Sequence, residues 1–208
     1  MTLLVVTAVA AERSAVLAGA RDIDVSVVGV GPAAAAAGTA RLLALAETGG
    51  TPYRWVISAG IAGGLPGYAA AGTVVIGTRS IAADLGADSP DGFVALDELA
   101  TTAFTPDPRL LASLRTALPD ACAGPILTVS TVTGTASGLS NLVGRYPDAV
   151  AEAMEGYGVA YAASLWGVGF AEVRTVSNPV GPRDRAAWRL ADALAALTAA
   201  APALRSPV

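Results

Sequence analysis

Chemistry in this chain has to be done without histidine or lysine: the sequence has no His, and all 13 of its basic residues are arginine. Serine–histidine triads, histidine-ligated metals, Schiff-base lysines and phosphate-loop lysines are thereby excluded. Acid–base work falls to carboxylates, tyrosines or ordered water. Two carboxylates stand where such work could be done. Glu12 follows the apolar run TLLVVTA and is either a solvated first-turn acid or a base aimed into a cleft. Glu155, in AEAMEGYGVA, sits at a strand-to-helix junction. There it either favours the helix N-terminus or accepts two hydrogen bonds from a vicinal diol such as a ribose. A third stretch, VRTVSNPVGP (173–182), carries Arg174 in an otherwise apolar run and reads as a strand that stops at Asn178-Pro179. An open α/β sheet presents its chemistry at the C-terminal ends of its strands. The polar group offered here is a neutral amide, which donates and accepts hydrogen bonds but supplies no proton.

Two glycine-rich stretches accompany these residues. SAGIAGGLPG (58–67) contains Ile61, Ala62 and Gly63 and lets backbone N–H groups approach an anion or a flat ring, or else is an ordinary glycine-rich turn. GVGPAA (29–34) matches the dinucleotide fingerprint G-x-G-x-x-G/A, but the nearest later acid, Glu47, closes a helix instead of ending a strand. A tight strand-to-helix turn is the competing reading.

The elements that must position these residues follow from an alternating pattern. Strands are expected at 2–8, 23–30, 54–59, 73–79, 124–130, 149–154 and 169–177, and helices at 10–18, 32–48, 108–117, 156–166 and 185–201. Residues 60–67 read as a turn, 80–107 as an irregular excursion, and 134–146 as a loop with a short helix. Strand–helix alternation implies one three-layer α/β/α domain over 1–208, with a mixed, mostly parallel central sheet.

Composition narrows the partners. Hydrophobic residues are 53% and charged residues 14%, so few charges remain to solvate every face, and a homodimer or higher homo-oligomer is expected. A net charge of −4 without a basic cluster argues against nucleic acid. Neither the N-terminal stretch, which runs into Glu12, nor the C-terminal one, interrupted by Arg189 and Asp192, suits an export signal or a membrane span. Cys122 stands alone, which fits a reducing cytoplasm and no cysteine-based metal cluster. No metal and no cofactor is expected.

Taken in order, TAVAAER, GVGPAAAAAGTA, SAGIAGGL, YPDAVAEAMEGYGVA and VRTVSN resemble the purine nucleosidase/phosphorylase superfamily, and in particular its 5′-methylthioadenosine/S-adenosylhomocysteine nucleosidase branch. The resemblance implies a nucleoside phosphorylase-like fold and a small-molecule nucleoside substrate. It implies that Glu12 activates the attacking water, with Arg174 near it, and that Glu155 grips the ribose hydroxyls while Met154 packs on the sugar. Val132 and Thr133 fall where main-chain and apolar groups hold the purine, and Ile61, Ala62, Gly63, Ala153 and Ser177 join them in the substrate site. Asn178 falls where adenine-specific members carry an aspartate that protonates N7.

Departures from that branch sharpen the expectation. Ile61 replaces a small polar residue near the water, and the acidic loop 80–92 departs from the branch pattern, which implies a changed 5′ pocket. Asn178 is the third departure. A protonated aspartate suits adenine, donating to N7 and accepting from the 6-amino group. An amide instead donates N–H to O6 of a 6-oxopurine while its carbonyl accepts from a protonated N7. RTVSNPVGPRDRAAW and LGADSPDGF resemble the futalosine hydrolase family in detail. That likeness implies hydrolysis of a 5′-modified inosine bearing a carboxyphenyl ketone, with Arg183 or Arg185 as a candidate for the carboxylate or as a solvated arginine before a helix. The rivals are a purine nucleoside phosphorylase, a methylthioadenosine nucleosidase, and a non-catalytic nucleotide- or NAD-binding protein built on GVGPAA.

Overall fold

The computed structural model describes residues 3–96 and 99–205. The apolar run near the N-terminus forms β1 (Leu3–Thr7), buried along its whole length. It is followed by α1 (Ala10–Gly19), β2 (Asp24–Val27) and α2 (Pro32–Thr48), whose proline occupies the first turn, where a missing N–H costs nothing. Then come β3 (Trp55–Gly64), β4 (Val74–Ala82), a hairpin of β5 (Gly86–Ser89) and β6 (Gly92–Ala95), and the short β7 (Ala103–Phe104). The rest is α3 (Pro108–Ala117), β8 (Cys122–Thr128), α4 (Ala136–Arg145), β9 (Ala151–Ala153), α5 (Gly156–Leu165), β10 (Gly169–Pro179), a 3-10 turn at Arg185–Ala187 and α6 (Leu190–Ala200).

Alternation along β1 shows how the layers form. Leu3 and Val5 face one way and pack with Val16 of α1, Leu110 of α3 and Leu197 of α6. Leu4 and Val6 face the other way and pack with Ala35 and Leu43 of α2 and Val159 of α5. The sheet is mixed and mostly parallel, as expected. Its antiparallel contacts are β4 with β10 and β7, and β3 with β9. The sheet also closes on itself. β3 pairs with both β10 and β9, and β10 reaches β9 through β4 and β8, so these strands form a ring from which β1 and β2 extend. Ala62, Val75, Ile126, Ala151 and Val176 pack together where the strands of the ring meet.

Several expected boundaries move. β3 does not end at residue 59: it runs through the glycine-rich stretch to Gly64, because β10 pairs with it as far as Gly64 and β9 joins it there. β10 does not stop before Asn178-Pro179. It continues through both, after a register shift between Val176 and Asn178 that acts as a bulge. The excursion at 80–107 is organised as the end of β4, the β5–β6 hairpin and β7. The C-terminal helix starts at Leu190, preceded by the 3-10 turn, and β2 ends at Val27.

Candidate active site

Glu12 is the third residue of α1, whose N-cap, Val9, has no side-chain oxygen to offer the helix. The glutamate supplies what is missing. Its Oε2 accepts from the N–H groups of Ala8 at 2.9 Å and Val9 at 3.2 Å, and its Oε1 accepts from the Ile61 N–H at 2.9 Å. The carboxylate is 3% exposed, so it is not a solvated first-turn acid. It caps its own helix and also borders the cavity described below. Gly60 makes this approach possible: a Cβ there would lie 2.5 Å from Glu12 Oε1 and 2.9 Å from Arg174 Nη1.

Beneath the cleft lies an ionic cluster. Arg174 is 1% exposed and uses all three nitrogens: Nε donates to Glu172 at 2.9 Å, Nη1 to Glu155 at 3.1 Å and Nη2 to Ser58 at 3.0 Å. Ser80 donates to the other oxygen of Glu172. Burial alone would lower the Arg174 pKa, but Glu172, Glu155 and Glu12 outweigh it and hold the guanidinium charged. Burial pushes the Glu172 carboxyl above its ordinary range despite Arg174 and Ser80. Glu155, the N-cap of α5, also accepts from the Gly31 N–H at 3.2 Å through Oε1. The GVGPAA stretch is therefore a tight turn, with Gly29 at φ +98° and Gly31 at φ +89°, and it serves the site by donating an N–H to Glu155.

At the other end of the cleft the groups are neutral or held by neutral partners. Ser177 Oγ donates to Asn178 Oδ1 at 2.7 Å, and Asn178 Nδ2 donates to the Pro179 carbonyl at 3.0 Å. One N–H of the amide and one lone pair of its oxygen remain for a ligand. The β10 bulge is what aims it. Strict alternation would put Asn178 on the face of Val176 and Arg174, whereas the bulge pairs it with Gly63 instead of continuing the register that matches Val176 to Ala62. Nearby, Glu152 Oε1 accepts from the Thr133 N–H at 2.8 Å, and Thr133 Oγ1 donates to Oε2 at 2.5 Å.

These groups meet around one cavity of about 290 Å³, close to the lower bound of ordinary small-molecule sites. Glu12, Ile61, Ala62 and Gly63 line one side, Val132, Ala153, Met154 and Glu155 another, and Ser177 and Asn178 the end. Thr133 and Arg183 line an adjoining recess of about 90 Å³ that shares Gly63, Val132, Glu152, Asn178 and Trp188 with the cavity. Arg174 is not among the lining residues; it acts from below, through Glu155. Arg185 lies in the 3-10 turn, outside both linings, with its guanidinium 5.9 Å from the Trp188 ring. Arg183 stacks over the same ring at 5.3 Å. None of the described residues of 80–107 lines the cavity of this chain.

Sequence reasoning missed Glu172, Glu152 and Trp188. For Glu172 a signal existed: Glu172 and Arg174 are two apart on one strand, hence on one face, which is ion-pair spacing.

The phosphorylase superfamily model matches residues 9–206. A futalosine hydrolase from Streptomyces coelicolor is 46% identical over 99% of this chain and 97% of that protein. One from Acidothermus cellulolyticus is 47% identical over 97% and 89%, respectively. Among solved structures, futalosine hydrolase of Helicobacter pylori superposes with a TM-score of 0.82 at 16% identity, over 97% of this chain and 96% of that one. The 5′-methylthioadenosine/S-adenosylhomocysteine nucleosidase from Neisseria meningitidis, in complex with methylthio-immucillin-A, gives 0.81 at 20% identity over 97% and 96%. Those two likenesses bear on the fold.

Proposed function

The chain belongs to the phosphorylase superfamily and, within it, to the futalosine hydrolase family; from that premise we propose how its cleft works. The protein hydrolyses the N-glycosidic bond of futalosine, a 5′-modified inosine, to release hypoxanthine, a step in menaquinone biosynthesis. The observation that carries a hydrolytic reading of the site is Glu12, an anion bordering the cavity and fixed by three main-chain N–H groups. A carboxylate in that place repels phosphate and welcomes water. Arg174, the cation beneath it, has every nitrogen engaged already.

In the proposed reaction the N-glycosidic bond stretches first, leaving positive charge on the ribose and negative charge on the base. Each Glu155 oxygen holds one N–H partner and keeps a lone pair for a ribose hydroxyl. Met154 packs on the sugar. Water attacks the anomeric carbon from the face opposite the base, and Glu12 takes its proton as the C–O bond forms. Attack on an oxocarbenium-like centre makes water acidic, so a buried carboxylate held by main-chain N–H groups suffices as base. Asn178 donates to O6 of the departing base, its oxygen accepts from protonated N7, and the N7 proton comes from water. Val132 and Thr133 flank the purine.

Trp188, shared by cavity and recess, offers an aromatic face to the 5′ aryl group, and Arg183, stacked on it, is the cation for the aryl carboxylate. A homodimer is supported by apolar side chains left open around the cavity, with Val9 39%, Val30 54% and Leu190 43% exposed. Among the described residues no helix is long and apolar enough to cross a membrane. A cytoplasmic location fits the lone Cys122.

Incubation with futalosine, inosine and methylthioadenosine in phosphate-free buffer, followed by chromatography of free base, tests this reading. Hypoxanthine should appear from futalosine without phosphate. A requirement for phosphate, or faster release of adenine from methylthioadenosine, would overturn it.

A further inference from the structure

We infer that Glu152 is a second residue that reads the purine, its carboxylate accepting the N1–H of a 6-oxopurine from the side opposite Asn178. This rests on the hydrolase reading above and extends it to a residue that reading leaves unused.

Register sets the geometry. Gly63 of β3 is paired with Glu152 of β9 on one side and with Asn178 of β10 on the other. Residues paired directly across a sheet point to the same face, so two polar side chains flank a glycine on one surface. Neighbouring strands lie about 4.8 Å apart, which sets the two outer backbones about 10 Å from each other. Gly63 contributes no side chain to the floor between them. A flat base edge laid over it meets an amide at one end and a carboxylate at the other, and all three residues line both the cavity and its recess.

The chemistry of Glu152 points to a ligand. It is 4% exposed, and no ion pair among the described residues includes it; its partners are the N–H and hydroxyl of Thr133. A carboxylate buried among neutral donors is costly, and a binding cleft is where such a cost is retained. Each of its oxygens still has a lone pair beyond the Thr133 bonds.

Its effect on the pocket wall decides the selectivity. A free Thr133 N–H would donate to the N1 of adenine, which is an acceptor. Glu152 occupies that N–H and presents an acceptor oxygen in its place. Hypoxanthine carries a proton on N1 and satisfies that oxygen; adenine sets a lone pair against it. O6 and N1 are adjacent on the base, so Asn178 as donor and Glu152 as acceptor match the two neighbouring positions in which a 6-oxopurine differs from adenine. Either alone recognises half of the pattern.

The test compares wild type with Glu152→Gln and Thr133→Val. The readouts are kcat/KM for futalosine and for its 6-amino counterpart, and calorimetric titration with hypoxanthine and adenine. Glu152→Gln should lower the preference for 6-oxo over 6-amino ligands by about 10- to 100-fold. Part of that change should come from improved adenine binding, because the new amide turns an N–H toward N1. A merely structural role would weaken both bases alike. Thr133→Val should give a smaller change of the same sign, and it decides the matter should Glu152→Gln fail to fold. An unchanged ratio of affinities overturns the inference. Wild-type protein that releases no hypoxanthine from futalosine overturns the hydrolase reading instead.

Discussion

The two ends of the cleft are built on opposite principles. At the sugar end, Glu12, Glu155, Glu172 and Arg174 are fixed by one another, by Ser58 and Ser80, and by main-chain N–H groups before any ligand arrives. At the base end, the side chains of Asn178 and Glu152 are tied, among the described residues, to Ser177, Pro179 and Thr133, and each keeps an unused donor or acceptor. Charge that must act on a developing cation is best set in place early, since reorganising it during the reaction would raise the barrier. Groups that choose between substrates work the other way: they stay partly unsatisfied until the right edge arrives, and the wrong edge leaves them so. Substitutions at the sugar end should therefore cost turnover and stability. Those at the base end should change which purine is accepted.

The largest effect expected is that of Glu12→Gln, which keeps the shape and removes the base. A positioned general base is worth about 10²- to 10⁴-fold, so kcat for futalosine should fall by that factor while calorimetric affinity for hypoxanthine holds. Turnover near the wild-type value would remove Glu12 from the role and break the contrast at its strongest point. Arg174→Met comes next. Removing one partner of a buried ionic cluster leaves Glu172 and Glu155 uncompensated and costs about 3–5 kcal/mol, a large part of ordinary domain stability. Urea denaturation measures it. Adding Glu172→Gln in the same chain should recover part of the loss, because the uncompensated charge is then gone. Failure to recover any would mean that Arg174 stabilises by packing alone.

How much of this could be read in advance differs between the two ends for a physical reason. Glu12, Glu155 and Asn178 stand beside local punctuation, a strand end or a helix start, and such signals survive in a single sequence. Glu172 lies in mid-strand, where no such punctuation marks it, and only its two-residue spacing to Arg174 signals an ion pair. Glu152 acquires meaning only from the row it forms with Gly63 and Asn178, and strand register is a property of distant segments. The β10 bulge is hidden for the same reason: period-two alternation sends Asn178 to the wrong face, and only the pairing with β3 corrects it. The ring of strands was likewise out of reach, because alternating elements give strand directions but not which edge meets which. The stretch 80–92 is the converse, a local feature whose place in the fold its composition did not give. Its odd composition marks 80–92 as a departure, and in the fold that stretch divides into the buried end of β4, Asp84 bonded to the Ser130 N–H, and the β5–β6 hairpin, none of it lining this chain's cavity.

At the base end the sharper probe is Asn178→Asp. A carboxylic acid can donate to N7 and accept from a 6-amino group, which an amide cannot do in the same orientation. The ratio of kcat/KM for futalosine over its 6-amino counterpart should fall by about 10²-fold, while urea denaturation shifts little, because Asn178 holds no buried charge partner. A large loss of stability with an unchanged ratio would place Asn178 with the structural end of the cleft.

The smallest effect concerns the pH dependence of stability. Burial, and then Asp84, push the Glu152 carboxyl above its ordinary range, while the two Thr133 bonds pull the other way without cancelling the shift. Its folded-state pKa is thus above its unfolded value. Stability from the protonated group is fully present below the unfolded pKa, and it is lost as pH rises through the folded one. Wild-type protein therefore loses stability as Glu152 ionises with rising pH, a loss that Glu152→Gln does not have. The two proteins differ only at residue 152, so the difference between them isolates Glu152 together with its coupling to Asp84. The gap in thermal stability between Glu152→Gln and wild type should accordingly narrow as pH is lowered from 7 towards the carboxylate range. A gap that stays constant would mean that Thr133 solvates Glu152 as fully in the fold as water does in the open chain, and the base end would then be as well compensated as the sugar end.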